Sequence, residues 1–239
     1  MPRVTKKIVL VKEEPTPPPP EPIKPPDKFT SRDEFEAFAF ARMARLSSTP
    51  AVLHLGSRRL SADSCPASRL FPNARRIVGI DLTPGDGVDV LGDIHLLPEV
   101  LEEEDPFDIV YSDAVLEHLE YPRVAAVAIN AVLLEGGYTF HITHQGFPLH
   151  EFPKDYWRFS TDALESLFSP AAGFRTEAAS FSNPQRQVTW DGKVCPWTNL
   201  PVFVHSMILA RKTGDPDPQL QAYFEYVGDR VRAGDSSGE

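Results

Sequence analysis

Between positions 141 and 158 the chain gathers His141, His144, His150, Asp155, Tyr156, Trp157 and Arg158. Imidazole is the side chain that exchanges a proton near neutral pH, so three histidines in one stretch suggest proton handling. His141, His144, His150 and Asp155 are also metal-ligand types. The two-residue and five-residue gaps between the histidines match no standard zinc spacing, however, and no metal is expected. Asp155 and Arg158 stand at i, i+3, where they can pair with each other or leave the guanidinium to anchor an anionic acceptor. Trp157 reads either as core or as a platform for a bound molecule. A second set of polar residues is spread more widely. Gly56, Asp81, Asp93 and the Ser112-Asp113 pair each fall at the end of an apolar run. A glycine there lets backbone approach a ligand closely. An acid at the tip of the second run can accept from a ribose diol, as in nucleotide-binding βαβ units. Asp93, after the third run, can accept from an adenine amino group.

These residues need elements to hold them. The apolar runs 51–56, 76–81, 88–92, 107–111 and 138–143 read as buried strands. Helical segments separate the first from the second and the fourth from the fifth. Alternating βα units predict an α/β fold, doubly wound about a mostly parallel sheet. Only seven residues, LTPGDGV, link Asp81 to the third strand. A parallel crossover needs about a dozen or more, so the helix after the second strand is expected to be shortened or missing and the third strand a short edge piece. Ser31 with Glu34 forms a capping-box pattern before a helix over 31–46, broad enough in its apolar surface to lid a cleft. Ser160 caps a helix over 161–168. Runs 174–181 and 202–212 read as two further strands, and a helix over 217–232 carries Leu220, Tyr223, Phe224, Val227 and Val231 on one stripe.

Composition limits the function classes. The chain has 239 residues and a formal net charge of -10, which argues against a nucleic-acid backbone as partner. No run reaches membrane-span length and no signal peptide is evident, so a cytoplasmic protein is expected. Cys65 and Cys195 read as plain thiols rather than a disulfide framework. Residues 1–30 form a proline-rich tail, 31–232 one domain, and 233–239 a short C-terminal tail. Within the first tail, Ile8–Val11 is β-prone. It reads as disordered chain or as a strand added to a sheet edge, which offers a contact to a partner or to a second copy in a homodimer.

Several segments together resemble the class I S-adenosylmethionine-dependent methyltransferases of the type-11-like group. VLHLGSR resembles the first motif, IVGIDL the second and DVLGDIHLLP the third. FDIVYSDAVLEHL followed by AINAVLLEGGYTFHIT resembles the family's central signature, and HQGFPLHEFPKDYWRFS a loop found in a subset of members. The resemblance implies a Rossmann-like sheet with an antiparallel final strand and S-adenosylmethionine as cofactor. It implies that Gly56, Ser57 and Arg58 pass under the methionine part, that Asp81 holds the ribose with Leu82 against the adenine, and that Asp93 and Ile94 flank the adenine. Ser112 and Asp113 would face the transferring methyl. His118 would lie near the acceptor, with His144 or His150 as general base for O-methylation of a small molecule and Asp155, Tyr156, Trp157 and Arg158 around the substrate. The chain departs from the family in two respects, the short LTPGDGV link after Asp81 and the first motif. His54 stands where the first motif has an acid, and GSRRLSA keeps a single glycine. That departure leaves two alternatives, a binding or scaffold protein on the same fold, or a non-methylating enzyme such as a cyclase.

Overall fold

The computed structural model describes Phe29 and residues 31–60, 66–151, 154–188, 192 and 201–234. The Ile8–Val11 segment, the proline-rich run, Cys65, Cys195 and the last five residues lie outside the described part. In chain order the elements are α1 Arg32–Met43, β1 Ala51–Leu55, α2 Ala67–Leu70, β2 Arg76–Asp81, β3 Val90–Leu91, α3 Leu97–Val100 and β4 Phe107–Asp113, followed by α4 Pro122–Val132, β5 Leu133–His144, α5 Thr161–Leu167, β6 Phe174–Gln185, β7 Val202–Lys212 and α6 Pro218–Arg232. The strands form one sheet in the order β3-β2-β1-β4-β5-β7-β6. β1 to β5 are mutually parallel, and β7 runs antiparallel to both β5 and β6. This is the predicted Rossmann-like, mostly parallel sheet with an antiparallel final strand.

The short link after Asp81 carries no helix, as its length requires, and β3 shrinks to two residues. Ser31 caps α1 by accepting from Glu34 N, and Ser160 caps α5 by accepting from Ala163 N. The predicted helix between β1 and β2 is a single turn among the described residues.

Strand periodicity sorts side chains onto two cores, one on each face of the sheet. Tyr138, Phe140 and Ile142 of β5, with Met207 and Leu209 of β7, pack under α1. Phe140 is fully buried, with ring centroids of Phe35, Phe40 and Tyr111 at 6.0, 6.0 and 5.5 Å. Ile208 and Ala210 face the opposite core, built from α4, α5 and the buried side of α6. The α6 stripe docks there through the partly buried Leu220 and Phe224; Val227 is buried too, while Tyr223 stays exposed. Two cores of this kind hold the sheet rigid, so that the loops at its carboxyl edge are positioned by packing on both faces. In the parallel register Ser112 sits beside His141 and Asp113 beside Ile142; in the antiparallel register His144 sits beside His205.

Candidate active site

The carboxyl ends of β1 and β2 build the first part of the site. Gly56 adopts φ +63°, and a Cβ there would collide with the Val115 side chain, so no other residue fits this turn without movement. Ser57 N continues the ladder to Ile80 O at 3.1 Å. Arg58 N donates to Asp81 Oδ2 at 3.3 Å, Thr83 N to Oδ1 at 2.9 Å, and Arg58 Nε lies 3.9 Å from Oδ1. Asp81 is therefore held in place by its own loop through Thr83 and by the loop after β1 through Arg58. Two donors of the loop after β1, Ser57 Oγ, packed against Gly79, and Arg58 Nε, are buried and have no hydrogen-bond partner among the described residues. Leu82, directly after the acid, is 59% exposed and offers an apolar wall. His54, in the position of the family's acid, lies 5.3 Å from the Tyr111 ring. Burial lowers its pKa to about 4, so it is neutral at pH 7 and supplies no negative charge.

Two of the residues expected around a cofactor are placed elsewhere. Ser112 is fully buried and bonds His141 Nδ1 at 2.7 Å. His141 in turn stacks on Phe168 at 4.7 Å, so this pair belongs to the α5-side core. Ile94 is also buried in that core. Asp93 accepts from His95 N at 2.9 Å and faces His95 Nδ1 at 2.6 Å, capping the 3-10 turn Ile94–Leu96. Burial alone would raise the Asp93 carboxyl; His95 outweighs it and holds the pKa below its ordinary value. Asp113 meets Arg32 of α1 at 2.7 Å, which ties the first turn of that helix to the strand end.

The carboxyl ends of β4 and β5 build the second part. Glu117, in the 3-10 turn Leu116–His118, is completely buried. Its Oε2 accepts from Thr143 Oγ1 at 2.6 Å. Its Oε1 has no hydrogen-bond partner and faces His144 Nε2 at 3.3 Å. Burial raises the Glu117 pKa. It lowers that of His144 to about 4, helped by the charges of His205 and His150. The His144 ring stacks on Phe147 at 4.1 Å and lies 5.5 Å from His205. His150 closes the group, 5.2 Å from the His144 ring and 4.8 Å from that of His118.

Local hydrogen bonds select tautomers here. His118 Nδ1 donates to Lys154 O at 2.6 Å, and His150 Nδ1 to Pro148 O at 3.1 Å, with Asp155 Oδ2 3.3 Å away. Each ring is left with Nε2 as the acceptor. Arg158 grips Asp155 through both terminal nitrogens at 2.6 and 2.8 Å and donates also to the carbonyls of Phe147, Pro148 and Trp157. Its guanidinium is thus a clamp inside the loop, in place of the predicted anion anchor. Hydrogen bonding to Arg158, together with the His150 backbone amide, overcomes burial and holds Asp155 well below the usual carboxylate range. Tyr156 N and Trp157 N both donate to Glu117 O, at 2.9 and 3.2 Å. Trp157 Nε1 donates to Leu119 O at 2.8 Å, and its ring turns away to line a separate cavity of about 380 Å³ with Tyr121, Phe159 and Tyr223. The sequence reading missed Glu117, Thr143, Phe147, His205 and Arg32. For Glu117 the available signal was its place directly before His118.

No family model and no curated protein matches this sequence. Solved structures do match. A candidate methyltransferase from Bacillus halodurans C-125 aligns with 76% of this chain and 99% of its own at 16% identity and TM-score 0.52. The 1,6-didemethyltoxoflavin-N1-methyltransferase of Burkholderia thailandensis, solved with 1,6-didemethyltoxoflavin and S-adenosylhomocysteine, aligns over 75% and 76% at 17% identity and TM-score 0.50. The fold of this chain is that of the class I methyltransferases. Among the described residues, no helix is long and apolar enough to cross a membrane.

Proposed function

We propose that this protein transfers a methyl group from S-adenosylmethionine to a small-molecule acceptor, at a hydroxyl oxygen, with an imidazole receiving the proton. The observation that carries the reading is the pairing of two features on one sheet edge. One is the loop after β1, whose backbone reaches Asp81 and whose buried donors Ser57 Oγ and Arg58 Nε have no hydrogen-bond partner among the described residues. The other is a group of imidazoles, two of which spend Nδ1 on backbone carbonyls and, among the described residues, show no hydrogen bond at Nε2.

The first feature fits a ligand that brings acceptor groups. Asp81 would hold the ribose hydroxyls, Leu82 would cover the base, and Ser57 and Arg58 would meet the methionine carboxylate. S-adenosylmethionine supplies a methyl carbon made electrophilic by its sulfonium, so the protein's tasks are alignment and proton removal. His150, steadied by Asp155 and Pro148 O, and His118, steadied by Lys154 O, can each take the hydroxyl proton at Nε2. His144 is the weaker choice because burial holds its pKa at about 4 and its Nε2 is turned to Glu117. Phe147, Tyr156 and the α1 latch through Arg32 and Asp113 wall the acceptor space and limit water.

Titration calorimetry with S-adenosylhomocysteine is the direct test. Micromolar binding that Asp81→Ala weakens supports the reading, and no heat at millimolar ligand overturns it. Methylation is then followed by mass shift on a panel of hydroxyl and amine acceptors. A second reading, a binding or scaffold protein on this fold, is favoured by one observation: the Asp81 carboxylate is already engaged by Arg58 and Thr83. Absence of cofactor binding together with normal folding would select it.

A further inference from the structure

We propose that Glu117, His144 and His150 bind a divalent metal ion of the zinc class, through one carboxylate oxygen and two imidazole nitrogens, with a coordination position left open. One donor atom from each of the three lies within 4.8 Å of the others. Ligands of a tetrahedral zinc ion sit about 2.0–2.2 Å from the metal and hence about 3.3 Å apart, so modest side-chain rotation closes the site.

Three observations separate this group from a chance cluster. First, Glu117 is a wholly buried carboxylate with one oxygen free of hydrogen bonds, and its only ion-pair contact among the described residues is with His144 at 3.3 Å. A buried carboxyl is costly to ionise without a cation beside it, and a divalent ion would offset that cost. The nearby cation Arg158 is committed to Asp155. Second, groups that orient two of the three ligands, His150 and Glu117, are present. His150 turns Nδ1 to Pro148 O and the Asp155 carboxylate, the carboxylate–histidine arrangement that aims the other ring nitrogen at a metal, and Thr143 fixes the Glu117 oxygen that is not aimed at His144. Third, two histidines and one carboxylate make the ligand set of zinc sites that keep a place for substrate. A competing set, His118, His150 and Asp155, shares His150. It is disfavoured because both Asp155 oxygens already accept from Arg158 and one also from His150 N.

Spacing hid the site, because Glu117 and His144 are far apart in sequence and meet only where β4 and β5 end side by side. The ligand set stands on geometry alone; its use in the reaction rests on the methyl-transfer reading. The acceptor hydroxyl would occupy the open position, where the ion favours loss of its proton. The proton goes to His118 Nε2. The oxygen's electron pair forms the new bond to the methyl carbon. The bond from that carbon to sulfur breaks with its pair remaining on sulfur, so no oxidant or reductant is consumed.

The test uses the full chain freed of metal by chelation and titrated with Zn²⁺ by calorimetry and with Co²⁺ by visible absorption. One ion per chain, with the intense bands of a low-symmetry four-coordinate cobalt site, is expected. Glu117→Gln and His150→Ala should each weaken binding tenfold or more, and His118→Ala should leave it unchanged. Circular dichroism would check that Glu117→Gln folds, and His150→Ala, at a half-buried loop position, gives a second variant less exposed to misfolding. No uptake of either ion at millimolar concentration overturns the proposal. Uptake that survives Glu117→Gln but is lost in His118→Ala or Asp155→Asn also overturns it, in favour of the competing set. Calorimetry with S-adenosylhomocysteine on the same metal-free protein reports separately on the methyl-transfer reading, since Asp81 and Ser57 are not ligands of the ion.

Discussion

The strand ends on the β1–β2 side and those on the β4–β5 side lie along one edge of the same sheet, yet their polar groups are settled differently. On the β1–β2 side the acids have partners in the strand-end loops: Asp81 accepts from Arg58 and Thr83, and Asp93 from His95. On the β4–β5 side Glu117 Oε1 and His144 Nδ1 are buried and unbonded, and the Nε2 atoms of His118 and His150 are left as acceptors. On the first side the acids must share their contacts to take a ligand, and the donors Ser57 Oγ and Arg58 Nε are left without hydrogen bonds among the described residues. The second is held open by contacts made behind the reactive atoms, through Lys154 O, Pro148 O and Asp155. Buried polar atoms without partners are rare because they are costly, so where they persist they mark the place a ligand is expected to satisfy.

Substitutions can break this contrast, and the effects should scale with how directly each residue meets reacting atoms. His150→Ala should have the largest effect, lowering kcat by roughly 10²–10⁴-fold while the dissociation constant of S-adenosylhomocysteine stays within twofold. A parallel loss of cofactor binding would show that the two sides are one site. Asp81→Ala should weaken S-adenosylhomocysteine by about 10- to 100-fold, the range for hydrogen bonds to a charged group, with the fold retained by circular dichroism. An unchanged affinity would mean that the Arg58 pairing excludes the ribose.

The third effect is on stability against pH. Burial lowers His54 to about 4 and His141 to about 3 in the folded chain. Both are neutral in the fold, whereas unfolded histidine titrates near 6.5. Between about pH 4 and 6.5 the unfolded chain therefore binds more protons, and stability falls as pH is lowered through that window. Each histidine contributes a slope of at most about 1.4 kcal/mol per pH unit. His54→Gln should flatten the slope of chemical-denaturation stability against pH in that window. An unaltered slope would place the titration elsewhere. The smallest effect is expected from Arg32→Ala. Its ion pair with Asp113 is about a third exposed, with side-chain accessibilities of 29% and 34%, so the stability loss should stay below about 1 kcal/mol. The change should appear instead as a raised KM for the acceptor, since α1 would no longer be tied to the β4 end.

The sheet was legible in the sequence because buried parallel strands are continuous apolar runs and because capping serines mark helix starts. The missing helix after β2 followed from chain length alone. Side-chain direction at the strand ends was harder to read. Ser112 sits one residue before Asp113, and the two-residue period of a strand sends them to opposite faces, so Ser112 went to His141 and the α5-side core while Asp113 reached the edge. The burial of Ile94 was not legible either, because the Asp93 cap turns the chain inward at once. Glu117 escaped notice because an acid beside a histidine in a short helical turn has the pattern of a solvated face. Its burial depends on the 154–159 loop folding across it, a contact between distant segments that periodicity does not encode.

Trp157 gives the molecule a built-in optical gauge. Its backbone N–H bonds the carbonyl of Glu117, its indole N–H bonds that of Leu119, and its ring is 43% exposed. Any rearrangement of the Leu116–His118 turn when the β4–β5 side is filled must therefore alter the solvation of this indole. With Trp190→Phe and Trp197→Phe silencing the other two tryptophans of the chain, emission from this one fluorophore would follow occupancy in real time and give the order in which cofactor, ion and acceptor arrive.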